Sequence, residues 1–255
     1  MEVAVCLPTY NERPNLARML AALGEIAAAS SHRISVLVID DNSPDGTGAL
    51  ADELAQELPF VRVLHRPAKE GLGPAYVAGF RRALLADADL IVEMDCDFSH
   101  DPRDLPRLVE AAQAADVVLG SRYVDGGRVV NWGWSRRAIS NGGCFYARRI
   151  LGVSVFDLTG GFKCFRREVL EAFDLDAIVS RGYAFQIELT YWAIAAGFRV
   201  LEVPITFSER AEGTSKMTAR IALEAALQVP AIRLRARRAR ARQAPVERRR
   251  PPLNV

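Results

Sequence analysis

Asp95 and Asp97 are separated by a single residue and follow an aliphatic run (Leu90, Ile91, Val92, Met94) that reads as a buried strand. Residues i and i+2 of an extended backbone project to the same side. Two carboxylates so placed can hold one hard divalent ion, Mg2+ or Mn2+, which takes oxygen ligands and keeps positions for substrate phosphates. The competing reading is a solvated pair that closes a strand end. Further acids tip the balance toward a cation: Glu12 follows the apolar segment 2–7, and Asp41 follows the segment 34–40. Carboxylates gathered at one rim repel each other unless a cation bridges them. The sequence contains no G-x-x-x-x-G-K-[ST], no G-x-G-x-x-G after its first strand, no H-E-x-x-H and no G-x-S-x-G, and its three histidines are widely spaced. P-loop phosphoryl transfer, dinucleotide redox chemistry and histidine-zinc hydrolysis therefore lack their residues. What remains suits departure of a nucleoside diphosphate whose charge is neutralised by a metal and by basic side chains.

The elements that must position these residues follow from periodicity. Strands are expected at 2–7, 34–40, 60–65, 89–95 and 116–121, with helices near 11–29, 46–58, 72–86 and 102–115. Such alternation is the pattern of a parallel sheet with crossover helices, and in open α/β sheets ligands bind beyond the carboxyl ends of the strands. The rim residues are then Pro8 to Glu12, Asp40 to Thr47, Asp95 to His100 and Gly120 to Arg122. The second half is less regular. A Gly/Trp-containing loop (126–134) leads to a helix near 135–151. A strand runs into a short helix over 161–170, a helix spans 184–196, a strand spans 198–207, and a polar loop covers 208–216.

The chain has 255 residues, half of them hydrophobic and a quarter charged, the composition of a soluble globular protein. No apolar run reaches the length of a membrane span, and the N-terminus lacks the basic region of a signal peptide. Four scattered cysteines offer neither a disulfide framework nor a zinc site, which fits a cytoplasmic protein. The net charge of +2 hides an asymmetry. Nine arginines and one acid lie from Arg233 to the end, leaving 24 basic and 30 acidic residues, a net −6, in residues 1–232. One domain is expected over 1–232, its last helix running over about 217–242, with a basic, at least partly disordered Arg/Pro-rich tail at 233–255.

PTYNE (8–12), DDNSPDGT (40–47), MDCDFSH (94–100) and GSRY (120–123) resemble the inverting family 2 glycosyltransferases of the GT-A fold. TGGFKCFRREVL (159–170), YAFQIEL (183–189) and SERAEGTSK (208–216) are similar to segments of polyprenol (dolichol) phosphate mannose synthases. The resemblance implies mannose transfer from GDP-mannose to a polyprenyl phosphate with inversion. It implies that Pro8, Tyr10 and Glu12 line the nucleoside pocket, with Ile39 and Asp41 at the other wall. Asp95, Cys96 and Asp97 would span the sugar diphosphate. Asp97, Asp95 and Ser99 would hold the metal, and Arg122, Arg210 and Lys216 would grip phosphates, the last two from a loop that Gly213 lets fold. Cys96 stands where alanine is more usual. Related chains often carry membrane helices that this chain does not show.

Lys163, Arg166 and Gln186 are weaker candidates for the acceptor phosphate, and Gln186, with Glu188, fits buried polar packing as well. Trp132 and Trp134 suit either a lipid headgroup layer or packing. The arginine run is read as a contact to an anionic membrane surface in preference to nucleic acid or a solvated tail, which places the protein peripherally on a cytoplasmic membrane face and leaves room for a separate membrane-embedded partner. Two alternatives stay open: a transferase of glucose or another sugar to the same lipid, and a receiver-like phospho-aspartate domain of roughly 120 residues.

Overall fold

The computed structural model describes residues 1–180, 182–209 and 226–236. Its first half is a wound α/β unit. Strand β1 (Glu2–Thr9) pairs in parallel with β2 (Arg33–Asp40) and with β4 (Leu90–Glu93), and β2 pairs with β3 (Val61–His65). Helices α1 (Arg13–Ala29), α2 (Thr47–Glu57) and α3 (Leu72–Leu85) are the crossovers. Both faces of the sheet are covered, which is why these strands read as near-continuous aliphatic runs. One face carries Leu16, Met19, Leu20 and Leu23 of α1, and the other Tyr76, Phe80 and Ala83 of α3. Gly79 of α3 permits the closest approach: a β-carbon there would lie 2.4 Å from Cδ1 of Ile39 and 3.2 Å from Sγ of Cys6.

The second half departs from simple alternation. The expected helix at 102–115 is a 3-10 turn (Pro102–Asp104) followed by the short α4 (Leu105–Ala111). Strand β5 (Val117–Ser121) does not join β4. Between them lies β7 (Lys163–Arg166), antiparallel to both, and β8 (Val200–Pro204) lies outside β5, so the sheet order is β3-β2-β1-β4-β7-β5-β8. The chain between β5 and β7 carries β6 (Arg128–Val129) and α5 (Trp134–Leu151). After β7 come α6 (Arg167–Glu171), a 3-10 turn (Leu175–Ala177) and α7 (Gly182–Ala196), whose residues from Ala184 to Ala193 are buried. Buried all round, with Gln186, Glu188 and Thr190 among its apolar residues, α7 packs as a core helix. The strand expected over 198–207 is divided. Its first part, β8 (Val200–Pro204), extends the sheet beside β5, and β9 (Thr206–Phe207) pairs with β6. Seven strands in one sheet leave no place for a receiver domain of roughly 120 residues.

Residues 226–236 are helical, with Val229, Ile232 and Ala236 in the core. Arg233 donates to the Ile150 carbonyl at 2.8 Å, and Arg235 donates to buried Glu188 at 2.8 Å and to Ser180 Oγ at 2.9 Å. The first two arginines of the run therefore anchor the helix instead of beginning a tail. The rest of the expected 217–242 helix and of the 233–255 tail lies outside the described residues. Among the described residues, no helix is long and apolar enough to cross a membrane. All four cysteines are buried free thiols.

Candidate active site

Parallel pairing places the carboxyl ends of β1, β2 and β4 at one edge, with Thr9 opposite Asp40 and Cys6 opposite Glu93. Each loop leaving that edge turns through a left-handed residue: Asn11 (φ 58°), Asn42 (φ 58°) and Phe98 (φ 59°). Asparagine adopts this region readily, whereas a bulky aromatic such as Phe98 stores strain there. The strained residue directly follows Asp97. The polar side chains of the 40–47 segment knit two loops together. Asp40 accepts from the Ser43 backbone N–H at 3.1 Å, Ser43 Oγ accepts from Asn11 N at 3.1 Å, Thr47 Oγ1 accepts from Glu12 N at 3.0 Å, and Asp45 accepts from Arg13 N at 3.2 Å. Asp41 is the acid of this segment that faces the cleft.

The cleft at this edge brings together Pro8, Tyr10, Glu12, Asp41, Asp95, Cys96 and Asp97 with Lys69 and Gly71. Lys69 Nζ sits 3.5 Å over the Tyr10 ring, a cation–π contact that places a positive charge beside the acids. Asp41 pairs with Arg66, which also bonds Glu70. Burial raises the Asp41 carboxyl from its ordinary value against the opposing pull of Arg66.

The D-x-D segment lies just past β4 in a bend, not on the extended strand that the sequence implied, and both acids still line the cleft. Asp95 Oδ1 accepts from Tyr76 Oη at 3.3 Å. The Asp95 backbone N–H donates to His100 Nδ1 at 3.3 Å. Burial pushes His100 down to about 4, so the imidazole is neutral with Nδ1 as acceptor. Asp97 Oδ1 accepts from Ser99 N at 3.0 Å. Ser99 Oγ is buried and has no hydrogen-bond partner among the described residues. Such an orphaned oxygen beside two carboxylates fits a hard cation. No group of three or more His, Cys, Asp or Glu converges on a metal position among the described residues. The remaining ligands would have to come from a diphosphate and water, which is how Mg2+ is ordinarily held.

Several expected residues stand elsewhere. Ile39 is fully buried in the core beneath α3 and does not line the cleft. Arg122 is committed to Asp157: Nε donates to Oδ2 at 2.7 Å and Nη2 to Oδ1 at 2.6 Å, while Nη2 also reaches Thr159 Oγ1 at 2.8 Å. It is a buried structural ion pair, not an arginine presented to the cleft. Lys163 is fully buried, with Nζ donating to the Gln186 carbonyl at 2.9 Å and to Gln186 Oε1, and lying 3.8 Å from Glu93. Burial moves this pair toward its neutral forms, Glu93 up to about 7 and Lys163 down to about 8. Lys163 is therefore an interior cation bonded to Gln186, whereas the Gln186 amide nitrogen flanks Gly161 together with the Asp95 carboxylate. Arg166 lies opposite Leu90 at the far edge of the sheet, because β7 runs antiparallel, and its Nε donates to the Ala112 carbonyl at 2.9 Å. Trp132 is buried edge-on to Phe207 beneath Arg136, whereas Trp134 is 83% exposed. Arg210, Gly213 and Lys216 lie outside the described residues.

Sequence reasoning passed over Arg66, Lys69 and Gly71, which follow β3. The carboxyl-edge rule applies to that strand as to the others and would have found them. Tyr76 carried no such signal. It is a helical residue spaced like its apolar neighbours, and only the fold aims its hydroxyl at Asp95.

The chain matches the family described as Glycosyl transferase family 2 over residues 4–173. It is 50% identical over 229 residues to the Undecaprenyl-phosphate mannosyltransferase of Micrococcus luteus, covering 90% of this chain and 93% of that one. It is 50% identical over 240 residues to the Polyprenol monophosphomannose synthase of Mycolicibacterium smegmatis, covering 93% and 89%. The Dolichol-phosphate mannosyltransferase of Pyrococcus furiosus is 37% identical over 227 residues, 88% of this chain and 61% of that one. Among solved structures, the glucosyl-3-phosphoglycerate synthase of Mycobacterium tuberculosis with Mn2+, UDP and glucosyl-3-phosphoglycerate superposes with a TM-score of 0.62 at 20% identity, covering 92% and 79%. A mannosyltransferase of Pyrobaculum calidifontis with GDP-Man and Mn2+ gives 0.55 at 17% identity, covering 95% and 76%. These structures establish the shared fold, a GT-A-like α/β sheet flanked by helices.

Proposed function

Because this chain belongs to glycosyl transferase family 2, we propose that its cleft moves mannose from GDP-mannose to a polyprenyl monophosphate, giving an inverted polyprenyl phosphate β-mannose and GDP. The observation that carries this reading is the convergence of Asp95, Asp97, Tyr10, Glu12, Asp41 and Lys69 on one cleft, in a chain half identical to two prenyl-phosphate mannosyltransferases.

The chemistry asks little of a general base. A lipid monophosphate has a second pKa near 6 and is largely dianionic at neutral pH. One of its oxygens attacks the anomeric carbon from the face opposite the diphosphate, the C–O bond to GDP breaks, and the electron pair leaves with GDP. Charge is the difficulty, since two anions must meet. Asp95, Asp97 and Ser99 would hold Mg2+ or Mn2+, which supplies neutralisation of the diphosphate. Tyr10, Glu12 and Asp41 would grip the nucleoside, with Lys69 adding a positive charge beside them. Arg210 and Lys216 remain the proposed phosphate clamps, from the segment that follows β9 in the sequence. Peripheral attachment to an anionic cytoplasmic membrane face through the remaining C-terminal arginines belongs to the same reading, and so does room for a membrane-embedded partner protein.

The test is incubation with radiolabelled GDP-mannose or UDP-glucose, a short polyprenyl phosphate, and either divalent ion or chelator. Label should enter the organic phase from GDP-mannose alone and vanish with chelator. Transfer from UDP-glucose instead would overturn the sugar assignment, and transfer insensitive to chelator the metal assignment. Asp97→Ala should lower turnover by at least about a hundredfold with the fold intact.

A further inference from the structure

Gln186 is 2% exposed, and the direction of its amide is fixed. Lys163 Nζ, which can only donate, bonds both the Gln186 carbonyl and Oε1. Nε2 therefore points away from Lys163, and it has no hydrogen-bond partner among the described residues. Glu93 lies near this amide, but its two carboxyl oxygens are likewise without a hydrogen-bond partner among the described residues. An amide nitrogen carries two hydrogens, so a turn toward Glu93 still leaves one for the other side. That side is a hollow. Gly161 is half-buried in the segment that enters β7, and a β-carbon there would sit 3.5 Å from Gln186 Nε2, 3.5 Å from His100 Cε1 and 3.7 Å from Asp95 Oδ2. These are ordinary van der Waals separations and the Gly161 backbone is not left-handed, so the fold tolerates an atom at that point. Glycine leaves it open.

One amide donor and one carboxylate acceptor flank the hollow. A hydroxyl answers both, accepting from Nε2 and donating to Asp95. A phosphate suits it poorly, because Asp95 and Glu93 repel an anion and the Lys163 ammonium is turned to Gln186. Position along the sheet selects the group that brings the hydroxyl. The rim order β2-β1-β4-β7 carries Asp41, then Tyr10 and Glu12, then Asp95 and Asp97, then Gly161. A nucleoside held by the first three and a diphosphate at the next two bring the sugar beside Gly161. We propose that the Gly161 hollow seats the transferred hexose, with Gln186 Nε2 donating to one of its hydroxyls and Gly161 leaving the room. The inference rests on the sugar-transfer reading above and adds to it a pair of residues that select the sugar, which takes Gln186 away from the acceptor phosphate.

The test is titration calorimetry of the full chain with Mn2+ and either GDP or GDP-mannose, in the wild type, Gln186→Glu and Gly161→Ala. Gln186→Glu keeps an oxygen acceptor for Lys163 and removes the donor. Gly161→Ala fills the hollow without crowding the empty protein. The ratio of the GDP-mannose to the GDP dissociation constant should rise about threefold to tenfold in Gln186→Glu and about tenfold or more in Gly161→Ala. In Gly161→Ala, GDP affinity, the KM for a short polyprenyl phosphate and the melting temperature should stay at their wild-type values. An unchanged ratio in Gly161→Ala would overturn the proposal and leave a hollow that holds only water. So would a raised acceptor KM at an unchanged ratio, which would return Gln186 to the acceptor phosphate. An equal loss of GDP and GDP-mannose affinity in both variants, the mark of a damaged fold, would overturn it too. A wild type that transfers glucose from UDP-glucose and no mannose would refute the proposed function alone. The UDP-glucose to UDP ratio would then read the same hollow, with the same rise expected.

Discussion

Replacing Asp157 by Ala should cost stability before it costs catalysis. The Arg122 side chain is 4% exposed and that of Asp157 0%. The carboxylate accepts from Arg122 Nε at 2.7 Å, from Nη2 at 2.6 Å and from the Arg122 backbone N–H at 3.0 Å. Deleting it leaves the guanidinium with the Thr159 hydroxyl in place of a counter-charge and the amide N–H without its acceptor, in a place that water does not reach. Breaking a buried pair from one side costs about 3–5 kcal/mol. At about 2–4 °C per kcal/mol for a chain of this size, the melting temperature should fall by about 6–20 °C. Differential scanning calorimetry with a urea titration measures it, and the double change Arg122→Met with Asp157→Leu should recover most of the loss. The rival role, a phosphate-gripping Arg122, makes the reverse prediction: Arg122→Lys would raise KM for the donor at constant Tm. A shift below about 2 °C in Asp157→Ala would show that the guanidinium is solvated and would sink the structural assignment.

The same pair sets a pH dependence. Burial raises the Asp157 carboxyl and Arg122 lowers it, the net lying below the ordinary 3.8. Its stabilising contribution is therefore complete above about pH 4 and is lost as acid titrates the folded carboxylate, so the Tm gap between wild type and Asp157→Asn should close in acid. Arg235→Ala strands Glu188, whose side chain is 0% exposed. A loss of about 1–3 kcal/mol and faster amide exchange across 226–236 should follow, visible by mass spectrometry. Gly79→Ala drives a β-carbon to 2.4 Å from Ile39 Cδ1, and overpacking of about 1–3 kcal/mol should lower the urea midpoint.

The first half of the fold was legible because both of its signals are local: aliphatic runs mark covered strands, and acids directly after them mark the rim. Pro8, Tyr10, Glu12, Asp41, Asp95, Cys96 and Asp97 meet in one cleft for that reason. β7 was hidden as a sheet-inserting element because its direction depends on where residues 122–162 travel, which no local pattern states. That reversal carries Arg166 to the wrong edge and buries Lys163. Arg122 was misjudged because its partner lies 35 residues away. Arg233 and Arg235 were hidden by composition, since an arginine-rich segment reads as solvated until the fold supplies Ile150 and Glu188 as acceptors.

The antiparallel seat of β7 has an architectural consequence. Leu119 faces Lys163 across the ladder, so the stretch that separates them leaves the sheet and returns to the same spot, in effect a very long hairpin. Beyond β6, which pairs with β9, such an excursion can lengthen, shorten or be exchanged without altering the register of β7 against β4 and β5. The carboxylate-lined corner and the surface carried by that stretch can therefore diverge at different rates. Chimaeras that swap residues 131–156 between related chains should keep the urea midpoint of the sheet and the transfer of mannose to a short polyprenyl phosphate in detergent.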